Sequence, residues 1–186
     1  MVEEVEVELK GCPQALATTY VGKEDRGVRE LRDILFPLDP AVKVEKSGFR
    51  DVILIYTKIS SKDLKDLIFR RKPSSVARLV VVDLCIHLRS KDDIIRVIEE
   101  SIKLFSQKCR GSRFYVDCIR RGRFVESCHS IESSIGREVA LRGLGSVNYK
   151  NPECVIKIEV VERIVMIALM KPYEDRLRRN MILFLL

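Results

Sequence analysis

Residues 113–124 read RFYVDCIRRGRF, followed by SIESSIGREV at 130–139 and VIKIEV at 155–160. Aromatic and β-branched residues fill 114–119, which predicts a strand. A basic turn follows, with Arg120, Arg121 and Arg123 around Gly122. Ser130 is a good N-cap, and Ile131, Ile135 and Val139 recur at helical spacing, so a helix is expected to run from there to Gly143. Gly136 inside that helix costs about 1 kcal/mol in propensity, which predicts close packing or ligand approach at that point. Residues 155–161 and 163–170 form two further apolar strands, with Glu162 at the hairpin turn between them. Strand, helix and strand make a parallel crossover, expected to be right-handed.

Upstream of this unit, Ser90 and Asp93 open a predicted helix over 91–107. Ile94, Ile98, Ile102 and Phe105 mark its buried stripe. A basic loop with Gly111 occupies 108–113. The first half reads as a strand at 15–21, a helix at 23–36 with Val28, Leu31 and Leu35 on one face, and strands at 42–45 and 51–59. Ser60 with Asp63 caps a second helix, which carries Leu64, Leu67 and Ile68 inward and stops near Lys72-Pro73. Residues 76–88 run apolar, as one central strand does. That order, βαββαβ, is the ferredoxin-like arrangement. The expected fold class is therefore α/β (α+β): a ferredoxin-like domain over 1–89 packed against a second domain over 90–172, then a tail over 173–186. The tail leaves strand and helix both open, and its apolar end, 181–186, suits a core strand or an interface.

The chain has 186 residues, with 46% hydrophobic and 33% charged. That fraction suffices for a packed core and fits a soluble globular class. The acidic start at 1–9 is the opposite of a secretory signal, and no stretch approaches a membrane span, so a cytoplasmic protein is expected. Amides are few (two Gln and three Asn by count of the sequence) and charges many, which points to a heat-adapted source.

Charge is concentrated. Between 108 and 150 nine cations (Lys108, Arg110, Arg113, Arg120, Arg121, Arg123, Arg137, Arg142, Lys150) meet only Asp117, Glu126, Glu132 and Glu138, which accounts for +5 of the total +7. Such a focus is either a solvated basic face or a footprint for a polyanion, with tRNA or another RNA first. Arginine forks suit phosphate, and the 120–123 turn would present three together. Lys108, Arg110 and Arg113 enter the same strand from its other end. Arg137 and Arg142 lie opposite the buried stripe of their helix. Lys150 and Asn151 sit in a loop, where an amide can read a base or sugar. The free amides behind Ser130 can hold a phosphate or be an ordinary cap. Arg70, Arg71 and Lys72 either extend the basic track or satisfy a helix C-terminus. The aromatics fall mostly at core-like positions, which favours shape and phosphate recognition over stacking.

Taken in order, the strand ending in a basic-basic-Gly turn, the helix with its central Gly, and VNYKNPE at 147–153 before an alternating strand resemble a THUMP domain. Tyr149-Lys150 stand where that family often has Leu and an acidic residue. THUMP domains commonly follow a ferredoxin-like domain, and the opening at 15–24 resembles stand-alone THUMP proteins. The resemblance covers about 15–172. It implies tRNA as the ligand; the basic residues above together with Asn151 are the candidate contacts, and no cofactor is expected. No G-x-G-x-x-G, P-loop or deaminase pattern is present in the sequence. The resemblance then implies a subunit that presents tRNA to a separate enzyme, an acetyltransferase being favoured.

Six cysteines lie at 12, 85, 109, 118, 128 and 154, with no CxxC pair and no zinc spacing. They read first as small core hydrophobes, with disulfides and catalysis as the alternatives. A catalytic reading, such as sulfur transfer, needs an exposed thiol near basic groups; Cys109 is its first candidate and Cys128 its second.

Overall fold

The computed structural model describes residues 11–178. Among them β1 (Ala15–Thr19), α1 (Glu24–Leu35), β2 (Lys43–Lys46), β3 (Val52–Tyr56), α2 (Ser61–Arg71) and β4 (Val76–Val81) form the first unit. Its sheet has the order β2-β3-β1-β4, with every neighbouring pair antiparallel. Side chains alternate across it. Ala15, Ala17, Ile53 and Ile55 face the helices and pack on Leu31, Leu35, Leu64 and Ile68, while Leu16, Val52 and Leu54 face the other way. Ser60 caps α2 by accepting from the Asp63 amide at 3.2 Å, as its sequence predicts.

The second unit contains β5 (Leu84–His87), α3 (Asp93–Lys108), β6 (Arg113–Arg121), α4 (Cys128–Leu141), β7 (Ser146–Val147), β8 (Cys154–Val161) and β9 (Ile164–Met170). Its sheet order is β5-β9-β8-β6-β7. β6 and β8 are parallel, joined through α4 as the sequence predicts, and β8 and β9 form the expected hairpin with Glu162 at φ 51°. Phe105, Phe114, Ile131, Ile135, Ile156 and Ile158 belong to the core between this sheet and its helices. Val161 and Met166 on the opposite face meet Leu16, Val52, Leu54 and Val82 of the first unit. The protein is thus a mixed α/β molecule of two sheets and four helices among the described residues, whose sheets touch through apolar side chains.

Three expectations need correction. The run 76–88 is not one strand. Val82 still donates to Gln14 O of the first sheet at 2.9 Å, but the Asp83 amide donates to Ile167 O of the second, also at 2.9 Å. Asp83 fixes the switch, since its carboxylate accepts from the Leu169 amide at 2.8 Å and from Lys108 at 2.5 Å. Next, the cap of α4 is Ser127, whose hydroxyl accepts from the Ser130 amide at 3.3 Å; Ser130 lies inside the first turn. The cysteines are not free hydrophobes: they pair as Cys12–Cys85, Cys109–Cys154 and Cys118–Cys128, because folding brings their Cα atoms to 5.9, 6.5 and 5.4 Å. The start of the tail, left undecided by the sequence, packs against the first unit. Arg176 bridges to Arg78, Leu177 is 4% exposed, and Asp175 accepts from Arg78 Nε at 2.6 Å. The apolar end at 181–186 and the acidic start at 1–9 lie outside the described residues.

Gly145, between α4 and β7, shows how tightly the second core closes. A Cβ there would lie 2.7 Å from the Ser112 carbonyl oxygen and 2.9 Å from the Phe105 ring. The carbonyl belongs to backbone and cannot swing away. Gly145→Ala is therefore expected to destabilise the protein by about 1–3 kcal/mol, as overpacking does; denaturant unfolding checks this, and an unchanged midpoint would show that the loop yields freely.

Candidate nucleic-acid interface

The basic residues sort themselves by strand direction. β6 and β8 run in parallel register from Phe114 opposite Cys154 to Arg121 opposite Val161. The segments that follow them, 122–127 and Glu162–Arg163, must then emerge side by side. They do: the Glu162 amide donates to Arg121 O at 2.8 Å, and a Cβ on Gly122 (φ 98°) would lie 2.6 Å from the Glu162 carboxyl carbon. His87, the last residue of β5, lies opposite Ile164, so β5 ends there too. Both α3 and α4 begin just after these strand ends, and their free amides face the same end of the sheet.

Three exposed arginines gather at this end. Arg120 donates to Gly122 O at 3.1 Å, and Arg123 stands on the turn itself. Arg163 lays its guanidinium 4.3 Å from the centre of the Phe124 ring and donates to Arg89 O at 3.4 Å. None of the three has a carboxylate partner among the described residues. Lys91 at the same end is occupied by Glu126, and that hydrogen bond holds the Glu126 carboxyl below its ordinary pKa. The Cys118–Cys128 disulfide spans 10 positions and closes the basic loop at its base.

Arg121 departs from the expected open turn. It belongs to the strand, with its side chain 15% exposed, and donates to the buried Glu159 at 2.6 Å. Lys157, 1% exposed, continues the row: it lies 2.5 Å from Asp117 and 3.7 Å from Glu159. Two cations and two carboxylates thus alternate on one face of the β6–β8 pair, and Arg121 is part of the sheet's interior. The turn proper holds only Gly122 and Arg123.

The other candidates lie elsewhere. Eight strand steps from Arg113 to Arg121 put the far end about 26 Å away. There Lys108 is paired with Asp83 and Arg113 with Glu153, while Arg110 is exposed without an ion-pair partner among the described residues. Lys150 and Asn151 share that end. Their amides both donate to Asn148 Oδ1, at 3.0 and 2.8 Å, so the loop is a preformed turn with both side chains outward. On α4, Arg137 is exposed, but Arg142 is held by Glu99 at 3.1 Å and by Glu138 at 3.4 Å. Arg70, Arg71 and Lys72 are exposed at the end of α2 in the first unit, where basic side chains face the helix C-terminus.

Two residues escaped the sequence reading. Arg163 was findable, since a parallel β6–β8 pair with a turn at Glu162 necessarily places 163 beside 121–123. Tyr149 is 72% exposed with its ring centre 5.8 Å from that of Tyr115, an aromatic face beside Lys150. Its signal was its place in a polar loop.

No family model and no curated protein sequence matches the chain. Solved structures do. TrmN from Thermus thermophilus superposes with a TM-score of 0.64 at 20% identity, over 89% of this chain and 47% of that one. PH1313 from Pyrococcus horikoshii gives 0.65 at 14% identity, over 84% and 54%. A 4-thiouridine synthetase, solved with RNA and bound ATP, gives 0.53 at 16% identity, over 87% and 42%. The chain shares the fold of these structures. This chain spans about half the length of these structural neighbours.

The contrast between Arg121 and Arg120 is testable by stability alone. Arg121→Ala removes the hydrogen bond to buried Glu159 and leaves it Lys157 alone at 3.7 Å, and is expected to cost about 3–5 kcal/mol, whereas Arg120→Ala should stay within about 0.5 kcal/mol. Equal losses in chemical denaturation would show that the buried row does not depend on Arg121.

Proposed function

We propose that this chain binds tRNA and presents it to a separate tRNA-modifying enzyme, with a cytidine acetyltransferase as the favoured partner, and that it performs no chemistry itself. The observation that carries the RNA reading is the trio Arg120, Arg123 and Arg163. Long guanidinium groups without carboxylate partners among the described residues, gathered beside two helix N-termini, form a positive patch suited to phosphate oxygens. Arg110, Lys150, Asn151 and Tyr149 at the opposite end offer a second contact, and Arg137 a third on α4. An RNA longer than about 26 Å can reach both ends of the sheet. The structural neighbour crystallised with RNA supports the reading, because it shares this fold. The first unit's βαββαβ order and antiparallel order β2-β3-β1-β4 support a ferredoxin-like domain beside a THUMP domain. We put the division, expected at 89/90, at Asp83, where the chain changes sheets.

The cysteine-enzyme alternative has less behind it. It requires a reactive thiolate, and both Cys109 and Cys128 are tied in disulfides. Among the described residues no helix is long and apolar enough to cross a membrane; the cytoplasmic site of action is our inference.

Binding to tRNA should weaken as salt rises, with log affinity falling against log salt by about 0.7–0.9 per phosphate neutralised. Replacing Arg120, Arg123 and Arg163 together by Ala should lower the affinity and flatten that slope while leaving the melting curve in place. Unchanged affinity in the folded triple variant would remove this end of the sheet from the interface. Separately, the isolated chain should modify no tRNA with acetyl-CoA, S-adenosylmethionine, or ATP plus a sulfur donor. Nucleoside analysis showing a modified product with any of these would overturn the adaptor reading.

A further inference from the structure

At the seam between the two sheets, three soft or borderline donors converge. Cys85 and His87 are two residues apart on β5, so both side chains leave the strand on one face. They lie opposite Met166 and Ile164 of β9, and Cys85 packs on the apolar cluster that joins the sheets. Cys12 arrives from the segment leading into β1. Its Sγ, the Cys85 Sγ and a ring nitrogen of His87 all lie within 4.8 Å of one another. Cys12 is exposed and the other two are half-buried, so solvent reaches the group.

We propose that these residues are a redox-exchangeable site for a thiophilic divalent cation, Zn²⁺ being the type. Oxidised, the two sulfurs bond to each other and tie the first unit to β5. A dithiol reductant delivers two electrons and two protons to that bond, breaking it into two thiols while the dithiol closes to its own disulfide. A divalent cation then displaces the two thiol protons to solvent, and His87 donates its neutral ring nitrogen without losing a proton. Three protein ligands and one open position are the donor count of accessible zinc sites.

The geometry fits with small movements. Two thiolates at about 2.3 Å on a tetrahedral ion stand about 3.8 Å apart, a separation that rotation of the two side chains supplies once the bond is cut. A Cα separation of 5.9 Å accommodates either state. The other two disulfides lack this third ligand: no further group of three such donors occurs among the described residues. A bound cation would preserve the tie between the sheets under conditions that cut the disulfide.

Cobalt(II) reports thiolate ligation by a charge-transfer band in the near ultraviolet and separates this site from simple surface binding. The full chain, treated with a dithiol and freed of excess reductant, is titrated with Co²⁺. The expected result is one equivalent bound with a thiolate band, displaced by Zn²⁺, and absent from the oxidised chain. Cys12→Ser should abolish the band, and His87→Ala should lower the affinity at least tenfold. Cys12 is exposed and outside the core, so its variant is expected to fold, with circular dichroism as the check. A reduced wild-type chain without the band overturns the proposal. So does a band that survives Cys12→Ser, which would place the metal on other thiols.

Discussion

The parallel pairing of β6 with β8 is the constraint on which the second half of this protein depends. Parallel strands cannot be joined by a tight turn, so the intervening chain must cross over, and α4 does so. The same pairing puts the two strand exits side by side, which is why Arg123 and Arg163, 40 positions apart in the chain, arrive at one place. Two disulfides tie the pair to the helices that cover it. Cys118 of β6 is bonded to the first residue of α4, and Cys154 at the start of β8 is bonded to the end of α3. A shift of register by one residue would turn Lys157 and Glu159 into the apolar core and Ile156 and Ile158 out of it.

That register also explains how one basic segment yields two kinds of arginine. Positions 115, 117, 119 and 121 share a face of β6, and 155, 157, 159 and 161 share the same face of β8. Charges on this face leave water and must be compensated within it, and Arg121, Glu159, Lys157 and Asp117 compensate one another. Arg120 and Arg123 fall outside the row and keep their guanidinium groups in solvent. Burial removes Arg121 from any ligand as surely as exposure offers its neighbours.

Much of this was legible in the sequence, because most elements carry strong periodicity. The two helices of the first unit, the 130–143 helix and the hairpin at Glu162 follow from apolar spacing and turn residues alone. The break at Asp83 was harder. One carboxylate in an apolar run is weak evidence of a sheet change until its partners, the Leu169 amide and Lys108, are seen. Ser127 and Ser130 offer the same capping chemistry three residues apart, and local sequence does not choose between them. The disulfides depend on distances between elements that spacing in the chain does not encode. The ion pairs of Lys108, Arg113 and Arg142 join residues 25, 40 and 43 positions apart, so a count of charges could not separate occupied cations from free ones.

The central claim is that RNA phosphate rests on the end of the second sheet formed by the exits of β6 and β8. Hydrogen–deuterium exchange of the full chain with and without tRNA tests it directly. The account predicts that tRNA slows exchange at the amides of 122–127 and 162–164 and at the first turns of α3 and α4, while the first unit's β2 and β3 are unaffected. Protection confined to the first unit, with 122–127 and 162–164 exchanging as in the free protein, would contradict it.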